Sequence, residues 1–594
     1  MLVLGITDGI TCGAAVVCDG VILAADNDER LSRLKMAYGF PRQSIAAVLR
    51  LAGVKPGEID RVACATVNNH FYDGLRPFNG WFSRDKGFVR NAVFESAGAL
   101  SYLVDIIPGA EALYYKARWP FFVARRKAIR RILREEFGIS APVEFIDHHL
   151  CHAASAYFTS GYEEALIVSM DGGGDGASSK VYVARNGHFV QVGYTSSFNS
   201  LANYYAYVTH VCGFKAQKHE GKITGLAAHG RPIYRDLLRS LITFQDGRIR
   251  NVGGRVFRAA VRQLEKRLPA GWTREDLAAS IQQHCEEMVV EYVRHHLGPD
   301  TPRNLAIAGG IFANVRINQK VGEIDGVKSV WVHPGMTDCG VGVGAALASC
   351  IQNRGGPAMD WNREVIRDVY LGEQYKPQEI EAALEEKGLS YTRPASIETE
   401  IAGLLAEGYV VARFDGRMEY GPRALGNRSI LYQPADRSVN DWLNERLRRT
   451  EFMPFAPSTL WEYAPQHYRN WKPAAESARF MTITYDCTDW MKETCPGVVH
   501  IDGTARPQLV RREDNPSYWK IIDEFRKRTG VATVINTSFN MHEEPIVCSP
   551  RDAVRAFCQG HLDYLAIGDY LVKSPVPIDR QLRPMKTVEA PVTA

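Results

Sequence analysis

One short pattern occurs twice in this chain, far apart, and constrains the fold more than any other feature: two strands, an Asx-Gly turn and a third strand. Residues 2–6, 14–18 and 21–25 read as strands, with Asp19-Gly20 between the second and third. Residues 165–170, 180–184 and 188–193 repeat the pattern around Asn186-Gly187. Asx-Gly pairs are the strongest local hairpin signal, because both central residues of the turn take positive φ. In each copy the first strand runs into a Gly/Asp loop, TDGITCG and DGGGDG. An internal duplication predicts an α/β fold of two equivalent lobes. Further strands at 305–308 and 329–333, a helix from about Phe312 and a long helix from Asp338 complete the second lobe. Helix-covered mixed sheets follow from this alternation.

At ~100–200 residues per module, 594 residues allow three or four modules. Residues 353–367 are polar and contain Gly355, Gly356 and Pro357, the best linker in the chain. They divide a domain at 1–355 from a second α/β domain at 365–574, in which 377–386 and 398–407 read as helices and 409–414 as a strand. Residues 575–594 read as an unstructured tail. A net charge of +4 gives no footprint for a nucleic-acid partner. No run approaches the ~18 apolar residues of a membrane span. The first strand opens at Leu2 with no basic leader before it and reads as structure rather than as a signal peptide. The 12 cysteines include no CxxC pair, which predicts reduced thiols in a cytoplasmic protein and excludes zinc-finger modules.

Chemistry concentrates at EFIDHHLCHAASAYF. His148 and His152 lie four apart on a predicted helix and project from one face, so they can share a cation. His149, three residues from His152, is an alternative to His148. Asp171 ends a strand and Asp338 follows one, where α/β sheets place ligands. Two imidazoles and two carboxylates suit iron(II) or zinc better than magnesium. In DGGGDG, Gly172 and Gly173 let backbone amides approach phosphate oxygens. In AGGIFAN, Gly309, Gly310 and Asn314 read as a nucleotide contact. KHEGKITG adds Glu220 between two lysines.

The ordered strings LGIT…DNDERLSRLK, DHHLCHAASAYF, MDGGGDG, HEGKITGLAAHG, AGGIFAN, HPGMTDCGVGVGAAL, GRMEYGPRALGNRSI, HIDGTARPQ and NTSFN resemble the O-carbamoyltransferases of antibiotic and nodulation-factor biosynthesis. The likeness runs from residue 2 to about 573. It implies an actin-like, Kae1-type N-terminal domain of two duplicated ASKHA lobes and a YrdC-like C-terminal domain. It further implies that carbamoyl phosphate and ATP give carbamoyl-adenylate, whose carbamoyl group passes to a hydroxyl of a small molecule. By the same resemblance His148, His152, Asp171 and Asp338 hold iron(II), and Lys35 and Arg449 meet phosphate or nucleotide. Adenylate formation needs positive charge around phosphates. Arg423, Arg428 and Arg506 are read as supplying it, with Ser538 and Asn540 as neutral donors. Ion pairing of these arginines with Glu419 or Asp415 is the alternative. Asp175 and Glu220 are the candidate bases for the acceptor hydroxyl.

The sequence departs from the family at Thr11 and Cys12, where a His-Asp pair is usual, and at Thr450 and Met453. Two rival functions remain open: carbamoyl transfer to a protein or tRNA, and a non-catalytic actin-like nucleotide-binding protein. Residues 115–134 cluster basic side chains around Trp-Pro-Phe-Phe and read as a solvated helix face anchored by those rings. Residues 70–115 are read as the source of acceptor specificity. The sequence does not define the oligomeric state.

Overall fold

The computed structural model describes residues 1–80, 107, 109–353, 365–448 and 455–588. They form two compact units, one of residues 1–23 and 36–365, the other of residues 24–35 and 366–594.

The first unit is built on two five-stranded sheets of the same design. One has the order Val21–Asn27, Gly13–Cys18, Leu2–Thr7, Arg61–Ala65, Val143–Ile146. The other has the order His188–Ser196, Ala177–Arg185, Glu164–Gly174, Asn304–Ala308, Ser329–Val332. Numbered along the chain, both sheets read 3-2-1-4-5. In both, the first strand pairs antiparallel with the second and parallel with the fourth, and the fourth pairs parallel with the fifth. This repeated sheet is the duplication that the two hairpin copies predict and the pair of actin-like lobes that the family resemblance implies. Both Asx-Gly turns carry the predicted backbone, with φ of 50° and 87° at Asp19-Gly20 and 49° and 81° at Asn186-Gly187.

Each fifth strand leads into a helix, His148–Phe158 in the first half and Val341–Gln352 in the second. The two helices pack closely because their contact is made of small residues. A Cβ on Gly344 would fall 1.8 Å from the Cys151 carbonyl oxygen. The helix Val341–Gln352 also crosses the first strand, where a Cβ on Gly5 would lie 2.0 Å from the Gly342 carbonyl. Larger side chains at these glycines would push the fifth-strand helices off their sheets, and with them the residues at their N-terminal ends.

The basic stretch lies in the helix Ala110–Phe137 and differs from the expectation. Of its aromatic anchor only Phe122 is buried, while Trp119 and Phe121 are exposed. The buried group is an arginine. Arg125 is 0% exposed and forms a bidentate pair with Asp8 at 2.8 and 2.7 Å. Arg126 and Arg130 lie over the ring of Phe145. Most of residues 70–115, read as a specificity region, falls outside the described residues.

In the second unit an eight-stranded mixed sheet has the order Tyr391–Thr392, Tyr570–Lys573, Tyr564–Ile567, Val411–Phe414, Arg428–Tyr432, Thr533–Ser538, Ala456–Leu460, Gln508–Val510. The helices Ile397–Ala406 and Pro516–Thr529 pack against each other beside it. A cut in the linker leaves out residues 24–35, which belong with this unit: Arg30 donates to the Gly421 carbonyl at 2.7 Å, and Arg33 to the Ile546 and Pro545 carbonyls at 2.7 and 2.8 Å. The tail has no helix or strand through 588, yet it is tied down rather than loose. Met585 and Val588 donate backbone N–H bonds to the Ala406 and Thr529 carbonyls at 2.8 Å, and Arg583 pairs with Asp436 at 2.6 Å. None of the twelve cysteines is in a disulfide.

Candidate functional site

The helix His148–Phe158 starts at Asp147, whose side chain accepts the Leu150 N–H at 3.0 Å. His148 opens its first turn and His152 follows one turn later, so both Nε2 atoms face the same way. Each lies 3.3 Å from Asp171 Oδ2, in the first strand of the second sheet. Asp338 opens a short turn after the last strand of that sheet. Its Oδ1 is 3.6 Å from His148 Nε2 and 3.5 Å from His152 Nε2. One donor atom from each of the four lies within 4.8 Å of all the others.

This geometry fits a divalent ion. Ligands about 2.1 Å from a metal sit ~3.0 to ~3.4 Å apart, close to the separations seen here. Charge points the same way. Burial disfavours ionised Asp171, but its bonds to both imidazoles hold its carboxyl well below the usual range. Asp338 is raised, by burial and by the neighbouring Asp171 carboxylate. Burial opposes the charged imidazolium of His148, yet Asp171 and Asp338 outweigh it and hold the group up to about 9. A cation among them relieves the repulsion within this acidic pair. The histidines form the closed side, with side chains 6% and 0% exposed, while the Asp338 side chain is 32% exposed and faces an open one. His149 is not an alternative ligand. Its Nδ1 meets Ser169 Oγ at 2.6 Å and its Nε2 the Ala177 carbonyl at 2.9 Å.

The surrounding glycines clear space for the centre. A Cβ on Gly174 would lie 2.3 Å from His148 Cγ, and one on Gly310 2.8 Å from Asp171 Oδ1. Gly309, at φ 113°, would meet the Met170 carbonyl at 2.1 Å. Gly172 donates its N–H to Asp171 Oδ1 at 2.5 Å and accepts from Asn203 through its carbonyl at 2.9 Å. Gly173 has φ 148°. Asn314 caps the helix Val315–Gly322 and donates to Gln282 Oε1 at 2.7 Å.

The two candidate bases are differently placed. Both oxygens of Asp175 are occupied by backbone N–H groups: Val67 at 2.9 Å, Asn68 at 2.6 Å and His148 at 2.8 Å. This carboxylate ties a loop to the first turn of the ligand helix. Glu220 accepts the Gln217 N–H. Burial, partly offset by backbone N–H bonds, pushes its carboxyl up to about 7, where an acid-base group works near neutral pH.

In the second unit the three arginines separate. Arg428 is fully buried, and its two terminal nitrogens donate to the carbonyls of Asp415, Asn427, Glu373 and Gly416 at 2.6–3.2 Å. Its guanidinium lies 3.7 Å from the centre of the Phe414 ring. The two terminal nitrogens of Arg428 thus staple the surrounding loops, while its Nε is buried without a hydrogen-bond partner. Arg423 has no carboxylate partner among the described residues, and burial lowers its guanidinium to about 10. Arg506 lies between the short strands Thr504–Ala505 and Gln508–Val510. Neither suggested carboxylate pairs with Arg423 or Arg428. Glu419 accepts the backbone N–H groups of Leu425, Asn427 and Arg428 at 2.8, 2.8 and 3.1 Å, and Asp415 pairs with Arg413 at 2.7 Å. Ser538 donates to Asn540 Oδ1 at 2.6 Å, and Asn540 donates to the Met541 and Glu544 carbonyls at 2.9 and 2.8 Å. Lys35 closes the segment 24–35 in this unit. Arg449 lies outside the described residues. Neither Asp8 nor Thr66 stands out in the sequence as a site residue, and Arg125 reads there as part of the solvated basic stretch; in the structure Thr66 meets His148, and Arg125 joins Thr66 to Asp8. Asp8 alone carried a signal, as the counterpart of Asp171 in the first copy.

A duplicated actin-like unit with a metal-competent His2Asp2 centre, joined to an α/β sheet unit, is the class of protein defined by this structure. Comparison with known proteins narrows it. Residues 3–347 match the carbamoyltransferase N-terminus and residues 402–574 the carbamoyltransferase C-terminus. The chain is 33% identical over 574 residues to nodulation protein NolNO of Sinorhizobium fredii, covering 94% of this chain and 78% of that one. It is 34% identical to nodulation protein NolO of Bradyrhizobium diazoefficiens, covering 72% of this chain and 79% of the relative. Among solved structures, component A of (R)-2-hydroxyglutaryl-CoA dehydratase from Acidaminococcus fermentans aligns at a TM-score of 0.33 and 16% identity, over 59% of this chain and 98% of that one. The chain belongs to the carbamoyltransferase family and is an enzyme of that family. No helix among the described residues is long and apolar enough to cross a membrane.

Proposed function

We propose that the chain is an ATP-dependent O-carbamoyltransferase whose acceptor is a hydroxyl group of a small-molecule natural product, an antibiotic or another secondary metabolite, in the cytoplasm. The observation that carries this reading is the four-donor centre of the first unit, closed on its histidine side and open at Asp338. Membership of the carbamoyltransferase family supplies the group transferred, and the nodulation proteins among its relatives favour a small acceptor.

Activation consumes carbamoyl phosphate, ATP and water and yields carbamoyl-adenylate, pyrophosphate and phosphate. We assign it to the domain at 365–574, read as YrdC-like. Arg423 is suited to meet phosphate oxygens, since its charge is buried without an acidic partner among the described residues. Arg506, Ser538, Asn540, Lys35 and Arg449 are its proposed companions, and the glycine loops at 172–173 and 309–310 with Asn314 are proposed nucleotide contacts in the domain at 1–355. Transfer forms the bond from acceptor oxygen to carbamoyl carbon and releases AMP. His148, His152, Asp171 and Asp338 would hold the ion, with iron(II) the proposed occupant and zinc or magnesium the alternatives. Such an ion supplies Lewis acidity toward a carbonyl oxygen. Glu220 is the proposed acceptor of the hydroxyl proton, because a buried carboxyl near 7 can take and return one. Asp175 no longer serves as a base in this proposal. Carbamoyl-phosphate-dependent release of pyrophosphate from ATP tests the reading, and no release by metal-replete protein would refute it.

A further inference from the structure

Thr66 follows the strand Arg61–Ala65 with φ 73°, in the left-handed region. A β-branched residue is strained there, and such strain persists only where surrounding contacts enforce it. Those contacts come from two sides. Arg125 donates to the carbonyls of Thr66 at 2.8 Å and Ala65 at 3.1 Å, while both its remaining bonds go to Asp8. Asp175 accepts the N–H groups of the next two residues, Val67 and Asn68. The same Asp175 carboxylate accepts the N–H of His148, which sets the strained turn in register with the ligand helix. In that register Thr66 Oγ1 lies 3.1 Å from His148 Nδ1.

We infer that Thr66 is a positioning residue for the metal centre, an inference that rests on the metal-centre reading above. Its hydroxyl oxygen accepts the Nδ1 proton of His148. In the neutral imidazole that a metal needs, this fixes the tautomer whose Nε2 lone pair faces Asp171 and Asp338. Were the hydroxyl to donate instead, Nε2 would carry the proton and His148 could not ligate. His152 has no such anchor, since its Nδ1 is buried without a hydrogen-bond partner. Glycine would adopt this backbone without strain but offers no acceptor, so the strain is kept for the hydroxyl.

The test uses the full chain with cobalt(II) as probe. Equilibrium dialysis, the visible cobalt spectrum and metal-free thermal melting are compared for the unaltered protein and for Thr66→Ser, Thr66→Val and Thr66→Gly. Valine keeps the shape and the strain but removes the acceptor, so cobalt should bind about 10–100-fold more weakly with an altered spectrum. Serine should restore binding to within about threefold of the unaltered protein. Glycine should melt higher because the strain is gone, yet bind cobalt as weakly as valine does. A purely structural role would make binding follow stability, with glycine as tight as threonine. Valine or glycine binding cobalt like the unaltered chain, with the same spectrum, overturns the role of Thr66 alone. Absence of cobalt binding in the unaltered chain overturns the metal-centre reading and this inference with it.

Discussion

The two halves of the first unit place an aspartate at the same point, just after the first strand's core, and use it in opposite ways. In the first half Asp8 is 2% exposed and locked to Arg125 by two hydrogen bonds. In the second half Asp171 faces two imidazoles whose Nε2 atoms both point at it. A guanidinium has no lone pair to offer a metal and is always charged, so the first aspartate is neutralised and becomes part of the scaffold. Imidazoles can ligate, so the second aspartate becomes one corner of a cluster able to hold a metal. The duplication supplies equivalent positions, and the residue brought opposite decides whether each is structural or chemical.

The largest effect should come from removing the chemical partner. Asp171→Asn should weaken cobalt binding by at least about a thousandfold in dialysis, because a ligand is lost and one negative charge with it. Retention of cobalt by that variant would break the contrast. Arg125→Met should cost about 3–5 kcal/mol in denaturant unfolding, since it leaves Asp8 buried without a counter-charge. Adding Asp8→Asn to it should recover much of that loss; no recovery would mean the pair is not what holds this half.

Glu220 sharpens the comparison on the second half. Its carboxyl titrates near 4.5 in the unfolded chain and about 7 in the folded one. The folded state is therefore favoured most below pH 4.5 and loses that advantage as pH rises through 7. Glu220→Gln should match the unaltered protein at pH 4.5 and exceed it by about 3 kcal/mol at pH 8. Equal stabilities at both pH values would show that the carboxyl is not buried as described. The smallest stability effect is expected in the second unit. Arg423→Met should change unfolding free energy by less than about 1 kcal/mol, since it strands no acidic partner among the described residues, while abolishing pyrophosphate release.

Much of this could be read from residue spacing. Turns that demand positive φ announce themselves as Asx-Gly, so the duplicated hairpins were legible. The spacing of His148 and His152 put them on one helix face, and strand ends picked out Asp171 and Asp338. Other features had no local signature. Thr66 takes a left-handed backbone through contacts from Arg125 and Asp175, which are remote in sequence. Arg125 looked like one more solvated cation in a basic run, and only the fold shows it buried. Arg428 and Asp175 bear the charges that chemistry would use, yet spend them on backbone carbonyls and N–H groups. The membership of residues 24–35 in the second unit depends on bonds spanning several hundred residues, which no local pattern encodes.

The proposed reaction needs two separable centres, one for activation and one for transfer. Its most direct test is to measure metal content and carbamoyl-phosphate-dependent pyrophosphate release together in the unaltered chain and in His148→Ala. The variant should lose its metal yet keep most of the pyrophosphate release. Equal loss of both would contradict the account.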